Sequence, residues 1–201
     1  LKVPYSGPVR VWFNGKLTLD ENYIHWFFPK KRPRPRFNIN QKDGVVLLEG
    51  AGVKNLSNEI EKTLSPYGFD SSWKPFKKDG CAIALLHQQL IEGRFVPAKG
   101  NVLLVGDAAG LILPITFEGI GSALKSGIAA ARSLIECARH RKDAASGYLS
   151  AIQGIIETIQ HLYKDQFQLK GEMDPVDQCM EPNQIAELLV YAYNETLIQQ
   201  E

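Results

Sequence analysis

One carboxylate, Asp107, stands where the sequence can present it to a ligand. It follows the apolar run 101–105 after a single glycine, and small residues surround it in the stretch 105-VGDAAG-110. A carboxylate at the carboxyl end of a buried strand lies where open α/β sheets bind their ligands. Its oxygens accept hydrogen bonds from the hydroxyls of a sugar or sugar alcohol, and the small neighbours let such a ligand approach the backbone.

A helix N-terminus is predicted shortly after this carboxylate. The segment 118-EGIG-121 begins a long amphipathic helix, whose free N–H groups and positive dipole end favour an anion or developing negative charge. Pro114 stiffens the connecting loop. The two glycines do not form a dinucleotide fingerprint, because no strand precedes them directly and Leu124 replaces the third glycine. On these residues alone, Asp107 is either a ligand-binding carboxylate or an ordinary capping or surface charge.

The elements that must position these groups divide the chain into a β-rich half and a helical half. Strands are predicted at Val9–Phe13, Lys16–Leu19, Tyr23–Phe28, Gly44–Gly50, Cys81–Leu86 and Asn101–Val105. The dipeptide Asn14-Gly15 predicts a two-residue hairpin turn between the first two. The aromatic strand is expected to be covered on both sides, and 101–105 is typical of a parallel strand buried on both faces.

Helices are predicted from Ser57 to about Ser65, after Glu118, over 144–169 and over 183–199. In the helix after Glu118, one apolar stripe has helical spacing and is expected to face the core. Its members are Ile120, Leu124, Ile128, Ala131, Ile135 and Ala138. Strands followed by helices indicate an α+β fold.

Composition excludes several classes of function. The 201 residues are 44% hydrophobic and 22% charged, with a net charge of +1, so no general attraction to nucleic acid is expected. No apolar run reaches the roughly 18 residues of a membrane span, and we expect no signal peptide. Cys81, Cys137 and Cys179 are odd in number and widely spaced. They predict reduced thiols in a cytoplasmic protein and no metal site.

A basic run interrupted by prolines, 29-PKKRPRPR-36, lies between two predicted strands. Proline favours extended backbone without ladder hydrogen bonds, so we expect a loop. A solvated loop accounts for the run, and an anionic lipid headgroup is the alternative, which would place the protein at a membrane periphery. The basic residues are Lys30, Lys31, Arg32, Arg34 and Arg36.

The residues around Asp107 resemble the second FAD-binding motif of flavoprotein reductases and monooxygenases, and within that superfamily the motif of the geranylgeranyl reductase family. Besides 105-VGDAAG-110, the resemblance rests on Pro114, Thr116, Glu118-Gly119-Ile120, Ala123, Ser126-Gly127 and Ala130. The segment Tyr23–Pro29 resembles that family's YxWxFP motif, and Gly50-Ala51-Gly52 resembles the GxG after it. Together these matches span residues 23 to 136.

The resemblance implies a role for each matched residue. Asp107 would hydrogen-bond the ribityl chain of FAD. Gly106 would also bind the cofactor, and the isoalloxazine ring would be bordered by Pro114, Gly119, Ile120 and Gly121. An elongated apolar substrate pocket would be walled by Tyr23, Trp26 and Phe28. In such enzymes the flavin delivers hydride to an alkene; no residue is identified as a catalytic acid.

The resemblance also implies the organisation of the chain. Residues 1–98 would form an antiparallel substrate-binding sheet, 99–170 the strand, loop and helices of the second FAD motif, and 171–201 a helical tail. The family's first motif, a GxGxxG on a βαβ unit, is not found in these residues. The resemblance therefore implies the carboxyl-terminal portion of a longer flavoenzyme, inactive alone. Because the edge at 102–105 would be unpaired, a homodimer is expected.

Three functions stay open on the sequence. The first is FAD-dependent reduction of double bonds in an isoprenoid or other apolar small molecule. The second is an FAD-dependent aromatic hydroxylase or halogenase, favoured by a compact polar pocket in place of an apolar tunnel. The third is a non-catalytic module that binds lipid or protein, whose binding would survive Asp107→Ala.

Overall fold

The computed structural model describes residues 3–27, 37–50, 56–114, 116–140, 143–168 and 182–196. These residues form antiparallel sheets and several helices, so the predicted α+β class is confirmed. The chain divides into two compact units. Residues 5–83 are called the sheet unit below, and residues 1–4 with 84–201 the helical unit.

The sheet unit consists of short strands and one α-helix. The strands are β1 (Tyr5–Ser6), β2 (Val9–Asn14), β3 (His25–Phe27), β4 (Phe37–Lys42), β5 (Val45–Gly50) and β6 (Lys77–Gly80), with β7 (Ile83–Ala84) at the boundary between the units. The helix is α1 (Leu56–Leu64), close to the predicted 57–65, and a 3₁₀ turn at Ser65–Tyr67 follows it.

Five of these strands form one antiparallel sheet in the order β3-β4-β5-β2-β6 within the described residues. Because side chains alternate between the faces of a strand, one face of β4 and β5 carries the core. Its residues Phe37, Ile39, Val46 and Leu48 are at most 2% exposed. Each such side chain stabilises the fold by about 1.5–3 kcal/mol. Ile60 and Leu64 of α1 belong to the same cluster.

A hairpin turn joins β4 to β5 at Asp43–Gly44, and the predicted turn at Asn14-Gly15 is wrong. Asp43 and Gly44 have φ of +51° and +77° and join β4 to β5. These left-handed values are those of a type I′ turn, which aspartate and glycine adopt most readily. The turn predicted after β2 does not form because β5 and β6 already pair with both edges of that strand.

Residues 16–19, predicted as a strand, are not in a strand. The side chain of Gln41, which is 3% exposed, takes the place of a neighbouring backbone. Its Oε1 accepts from the Leu17 N–H at 2.9 Å, and its amide donates to the carbonyls of Leu17 and Leu19. This buried amide satisfies backbone groups that a ladder would otherwise pair.

The aromatic strand is shorter and more exposed than predicted. β3 covers three residues, and Tyr23 and Ile24 before it are 64% and 51% exposed. Coverage of this strand on both sides is therefore wrong for its first residues. β3 is an edge strand, paired with β4 alone among the described residues.

The helical unit contains the segment around Asp107. Its elements are α2 (His87–Ile91), β8 (Ala98–Lys99), β9 (Val102–Leu103), a 3₁₀ turn at Gly106–Ala109, α3 (Ile120–His140), α4 (Ala144–Ala151), α5 (Gln153–Gln168) and α6 (Pro182–Thr196). The predicted helix over 144–169 is thus two helices. The core includes Leu90, Ala109, Leu111, Leu113, Tyr148, Ile152, Ile159 and Leu162.

The apolar run 101–105 is not a strand buried on both faces. Only β9 forms within it, and it pairs antiparallel with β8, Ala98 opposite Leu103. Among the described residues these two strands make a separate two-stranded sheet. Val102 and Val105 are 68% and 39% exposed, because no other described strand lies beside them.

Helix α3 buries the face opposite to the one predicted. Ile120, Leu124 and Ile128 of the apolar stripe are 76%, 53% and 44% exposed. The buried residues are the small ones, Ser122, Ser126 and Ala130. Their size lets the helix approach its neighbours closely, so close packing rather than side-chain hydrophobicity sets the orientation of α3.

The described cysteines and helices bear on the remaining predictions. Cys81 is exposed, and of the strand predicted over Cys81–Leu86 only β7 forms. Cys81 and Cys137 are free thiols, and Cys179 lies outside the described residues. Among the residues that the structure describes, no helix has the length and apolar content needed to cross a bilayer.

Candidate functional site

The turn that carries Asp107 is built on two glycines with left-handed backbone. Gly106 and Gly110 have φ of +55° and +72°, values that side chains disfavour. A Cβ on Gly106 would lie 2.9 Å from the Cβ of Ala123, and one on Gly110 would lie 2.9 Å from the Cβ of Leu86. The turn is therefore packed against α3 on one side and against the start of α2 on the other.

The Asp107 carboxylate is exposed and lies beside the start of α3. A Cβ on Gly119 would lie 2.9 Å from Asp107 Oδ1, so a side chain at position 119 would displace the carboxylate from this place. No hydrogen bond or ion pair joins this carboxylate to another described residue. Because it caps no described helix, its oxygens are available to hydroxyl donors of a ligand.

Glu118 performs the capping at α3. Its Oε1 accepts from the Gly121 N–H at 3.1 Å, which satisfies a donor of the first turn. Its backbone closes the preceding loop: Leu113 N–H donates to the Glu118 carbonyl at 2.8 Å, and Phe117 N–H donates to the Leu113 carbonyl at 3.0 Å. Phe117 has φ of +55°, an uncommon value for a residue with a side chain. The loop before α3 is thus held in one strained conformation.

Two polar atoms at the start of α3 are buried without a hydrogen-bond partner among the described residues. They are Glu118 Oε2 and Ser122 Oγ, and Ser122 is 1% exposed. A buried polar atom without a partner costs about 1–3 kcal/mol. The first turn of α3 therefore retains hydrogen-bonding capacity next to the Asp107 carboxylate.

His87 supports the same loop from α2. The ring is 4% exposed, and its Nε2–H donates to the Ile112 carbonyl at 2.7 Å. Burial lowers the pKa of His87, and the hydrogen bond to Ile112 opposes this in part. The Ile112 side chain in turn lies against Gly119. A neutral histidine thus fixes the loop that separates Asp107 from α3.

The residues expected to bind FAD besides Asp107 lie together in this region of the helical unit. Gly106 and Pro114 are buried, Gly119 and Gly121 are partly buried, and Ile120 is 76% exposed. Sequence reasoning found these positions but assigned no role to Glu118 or His87. The signal available for Glu118 was a carboxylate two residues before a helix start, where side chains cap.

The residues expected to bind substrate belong to the sheet unit. Tyr23 is exposed, and Trp26 is partly buried in β3. Phe27 stacks on Phe37 at 4.9 Å between ring centroids, so its face is the core face and Trp26 lies on the opposite one. Phe28 and the five basic residues of 30–36 lie outside the described residues.

The sheet face that carries Trp26 is polar across its middle. Trp26 is opposite Asn38 in the register, Asn38 is opposite Glu49, and Glu49 is opposite Arg10. Arg10 Nε donates to Asp79 Oδ1 at 2.8 Å, and this bond raises the pKa of Arg10. A row of amide and charged groups therefore adjoins the tryptophan expected to line an apolar pocket.

The donor set of the Asp107 site fits one part of FAD. An unpaired carboxylate matches the hydroxyls of a ribityl chain, and a helix N-terminus favours negative charge on a reduced isoalloxazine ring. The sequence contains no GxGxxG turn for the pyrophosphate. Among the described residues, no cluster of His, Cys, Asp or Glu suits a metal ion.

Comparison with known proteins finds similarity in structure alone. No protein-family model matches the sequence, and no curated protein matches it. A solved geranylgeranyl bacteriochlorophyll reductase-like protein from Thermoplasma acidophilum matches 96% of this chain with a TM-score of 0.65 and 17% identity. The flavin-dependent halogenase CmlS matches 94% of this chain with a TM-score of 0.52 and 10% identity. RebC matches 96% of this chain with a TM-score of 0.53 and 13% identity.

The chain spans about half of the first of these proteins, 53%, and 38% of each of the other two. At such identities the likeness shows the fold. This chain therefore shares its fold with part of a flavin-dependent halogenase and with part of a geranylgeranyl reductase-like protein.

Proposed function

We propose that this chain supplies the flavin-facing portion of an FAD-dependent oxidoreductase. The observation that carries the proposal is the exposed Asp107 carboxylate, unpaired among the described residues and held beside the start of α3 on a turn that requires glycine. The fold shared with part of a flavin-dependent halogenase supports the same cofactor class.

In this proposal the chain binds and orients the cofactor through the ribityl chain and the ring. Asp107 accepts hydrogen bonds from ribityl hydroxyls, and the N-terminus of α3 stabilises negative charge on the ring. Ile120, exposed in the first turn, packs an apolar side chain against it and excludes water. When bound, FAD supplies hydride transfer, chemistry that no protein side chain provides.

The substrate class proposed first is an isoprenoid or similar apolar molecule with a carbon–carbon double bond. The fold shared with a geranylgeranyl bacteriochlorophyll reductase-like protein supports it. Tyr23 and Trp26 provide the accessible aromatic surface. No side chain of this chain is assigned as proton donor.

A second candidate, an aromatic hydroxylase or halogenase, is favoured by the polar row beside Trp26 and by the fold shared with CmlS. The two candidates differ in their need for oxygen. In the protein that contains this chain, if it is a reductase, an added isoprenoid alkene reoxidises the reduced flavin under anaerobic conditions. A hydroxylase or halogenase does so only when oxygen is admitted.

The flavin site is tested by titrating this chain with riboflavin and with FAD while flavin fluorescence is followed. Both should bind with similar Kd, because the chain contacts the part they share. Asp107→Asn keeps the shape and removes the charge, and should weaken both about 10- to 100-fold, since hydrogen bonds to charged groups contribute about 1.5–3 kcal/mol. Asp70→Asn is the matched control: Asp70 is exposed in the sheet unit and accepts from Ser72 N–H at 2.8 Å, as asparagine also can.

Binding that Asp107→Asn leaves unchanged would assign flavin to another surface and support the non-catalytic module. Absence of binding by either flavin up to about 1 mM, a binding free energy weaker than about −4 kcal/mol, would overturn the proposal for this chain.

A further inference from the structure

We propose that two buried hydroxyls, those of Tyr148 and Ser126, position the Asp107 carboxylate for the flavin. They are called the hydroxyl clamp below. Both side chains are 0% exposed, so neither touches a ligand at the surface. The inference rests on the proposed function, and it adds α4, an element outside the Asp107 motif, to the working site.

The clamp holds the backbone on both sides of Val105, just before the turn. The Tyr148 hydroxyl donates to the carbonyl of Leu104. The Ser126 hydroxyl accepts from the Gly106 N–H at 3.0 Å and donates to the Ala123 carbonyl at 3.1 Å. The direction in which the chain enters the Asp107 turn is therefore set from α3 and α4.

This segment has few other attachments. β9 ends at Leu103, and the next backbone bond is from Leu104 N–H to the Pro97 carbonyl at 2.9 Å. Val105 is extended, with φ −127° and ψ 157°, and 39% exposed. Because the hydrogen bonds between β8 and β9 end before the turn, side-chain hydroxyls fix the backbone there.

The two hydroxyls form one buried unit. Burial raises the pKa of Tyr148, and the neighbouring Ser126 hydroxyl opposes this in part, so the phenol remains a donor throughout the neutral range. Residue 126 must also be small, because α3 approaches the turn so closely that a Cβ on Gly106 would meet Ala123 at 2.9 Å. Serine meets both demands, since it is short and it pairs the Gly106 N–H.

The test compares Tyr148→Phe with wild type. This change retains the ring and its packing and removes the hydrogen bond to Leu104. Riboflavin affinity should fall about tenfold, and Tyr148→Phe should have no further effect in an Asp107→Asn background, because the clamp acts through that carboxylate. Tyr191→Phe in α6 is the matched control and should leave affinity unchanged; Tyr191 lies against His161, 5.4 Å between ring centroids. All titrations are made well below the unfolding transition.

Hydrogen exchange at the amides of Gly110 and Leu111, measured without flavin, reports on the turn independently. These amides donate to the carbonyls of Asp107 and Gly106 at 3.0 and 3.1 Å. Tyr148→Phe should accelerate their exchange. Unchanged exchange with unchanged riboflavin affinity overturns the clamp while the proposed function stands. If the wild-type chain binds no flavin, the proposed function and the positioning role are both overturned, even if Tyr148→Phe accelerates exchange.

Discussion

The protonation of His87 affects the loop around the Asp107 site, because its ring donates a hydrogen bond to the Ile112 carbonyl in that loop. Burial lowers its pKa in the folded protein below the value of about 6.5 in an unfolded chain. As pH falls, the unfolded chain therefore takes up the proton first. The stability contributed by neutral His87 is complete above pH about 6.5 and is lost as pH falls through the folded pKa.

We therefore expect the thermal midpoint of the helical unit to fall on acidification from neutral pH. In His87→Gln, the glutamine amide can donate to the Ile112 carbonyl from a similar position and does not titrate. Part of the decline in the thermal midpoint should therefore disappear in this variant. His140→Gln is the control, because His140 is exposed and paired with Glu136 at 3.2 Å. A decline of equal size in wild type and His87→Gln would show that His87 is not responsible.

The sequence predicts the place of some single residues in the fold and not of others. Asp107 could be found because its signal is local: a carboxylate after an apolar run and among small residues. Cys81 and His87 could not be placed, because burial depends on which distant segments cover them. The bond from His87 to Ile112 joins residues 25 positions apart.

At the scale of elements, α3 shows what an amphipathic pattern leaves open. Periodicity correctly predicted a helix after Glu118, and it identified which face is apolar. It did not show which face is packed within this chain, since small residues are buried where helices approach closely. The same limit applies to the predicted hairpin: Asn14-Gly15 has turn chemistry, but the turn forms at Asp43–Gly44, because β4 and β5 pair with each other while β2 pairs with β5 and β6.

This reading of α3 predicts opposite outcomes for two substitutions. Leu124→Gln, on the exposed stripe, should change the free energy of unfolding by at most about 0.5 kcal/mol. Ala130→Leu, at a position 8% exposed, should overpack the interface and destabilise by about 1–3 kcal/mol. Urea unfolding followed by circular dichroism measures both. A larger loss for Leu124→Gln would mean that the apolar stripe is the packed face after all.

On the scale of the whole molecule, the order of strands and helices sufficed for the α+β class. It did not suffice for the pairing of the apolar run 101–105, because strand partners are set by contacts between distant segments. The homodimer expected from that exposed edge stays a prediction. The chain shares its fold with part of larger proteins.

The most direct test of the central claim is an NMR titration of the ¹⁵N-labelled chain with riboflavin. We predict amide shifts concentrated at 106–110 and 119–122, where the carboxylate and the start of α3 meet, and reduced shifts in Asp107→Asn. Shifts centred on the sheet unit, or equally large in Asp107→Asn, would contradict a flavin site at this turn.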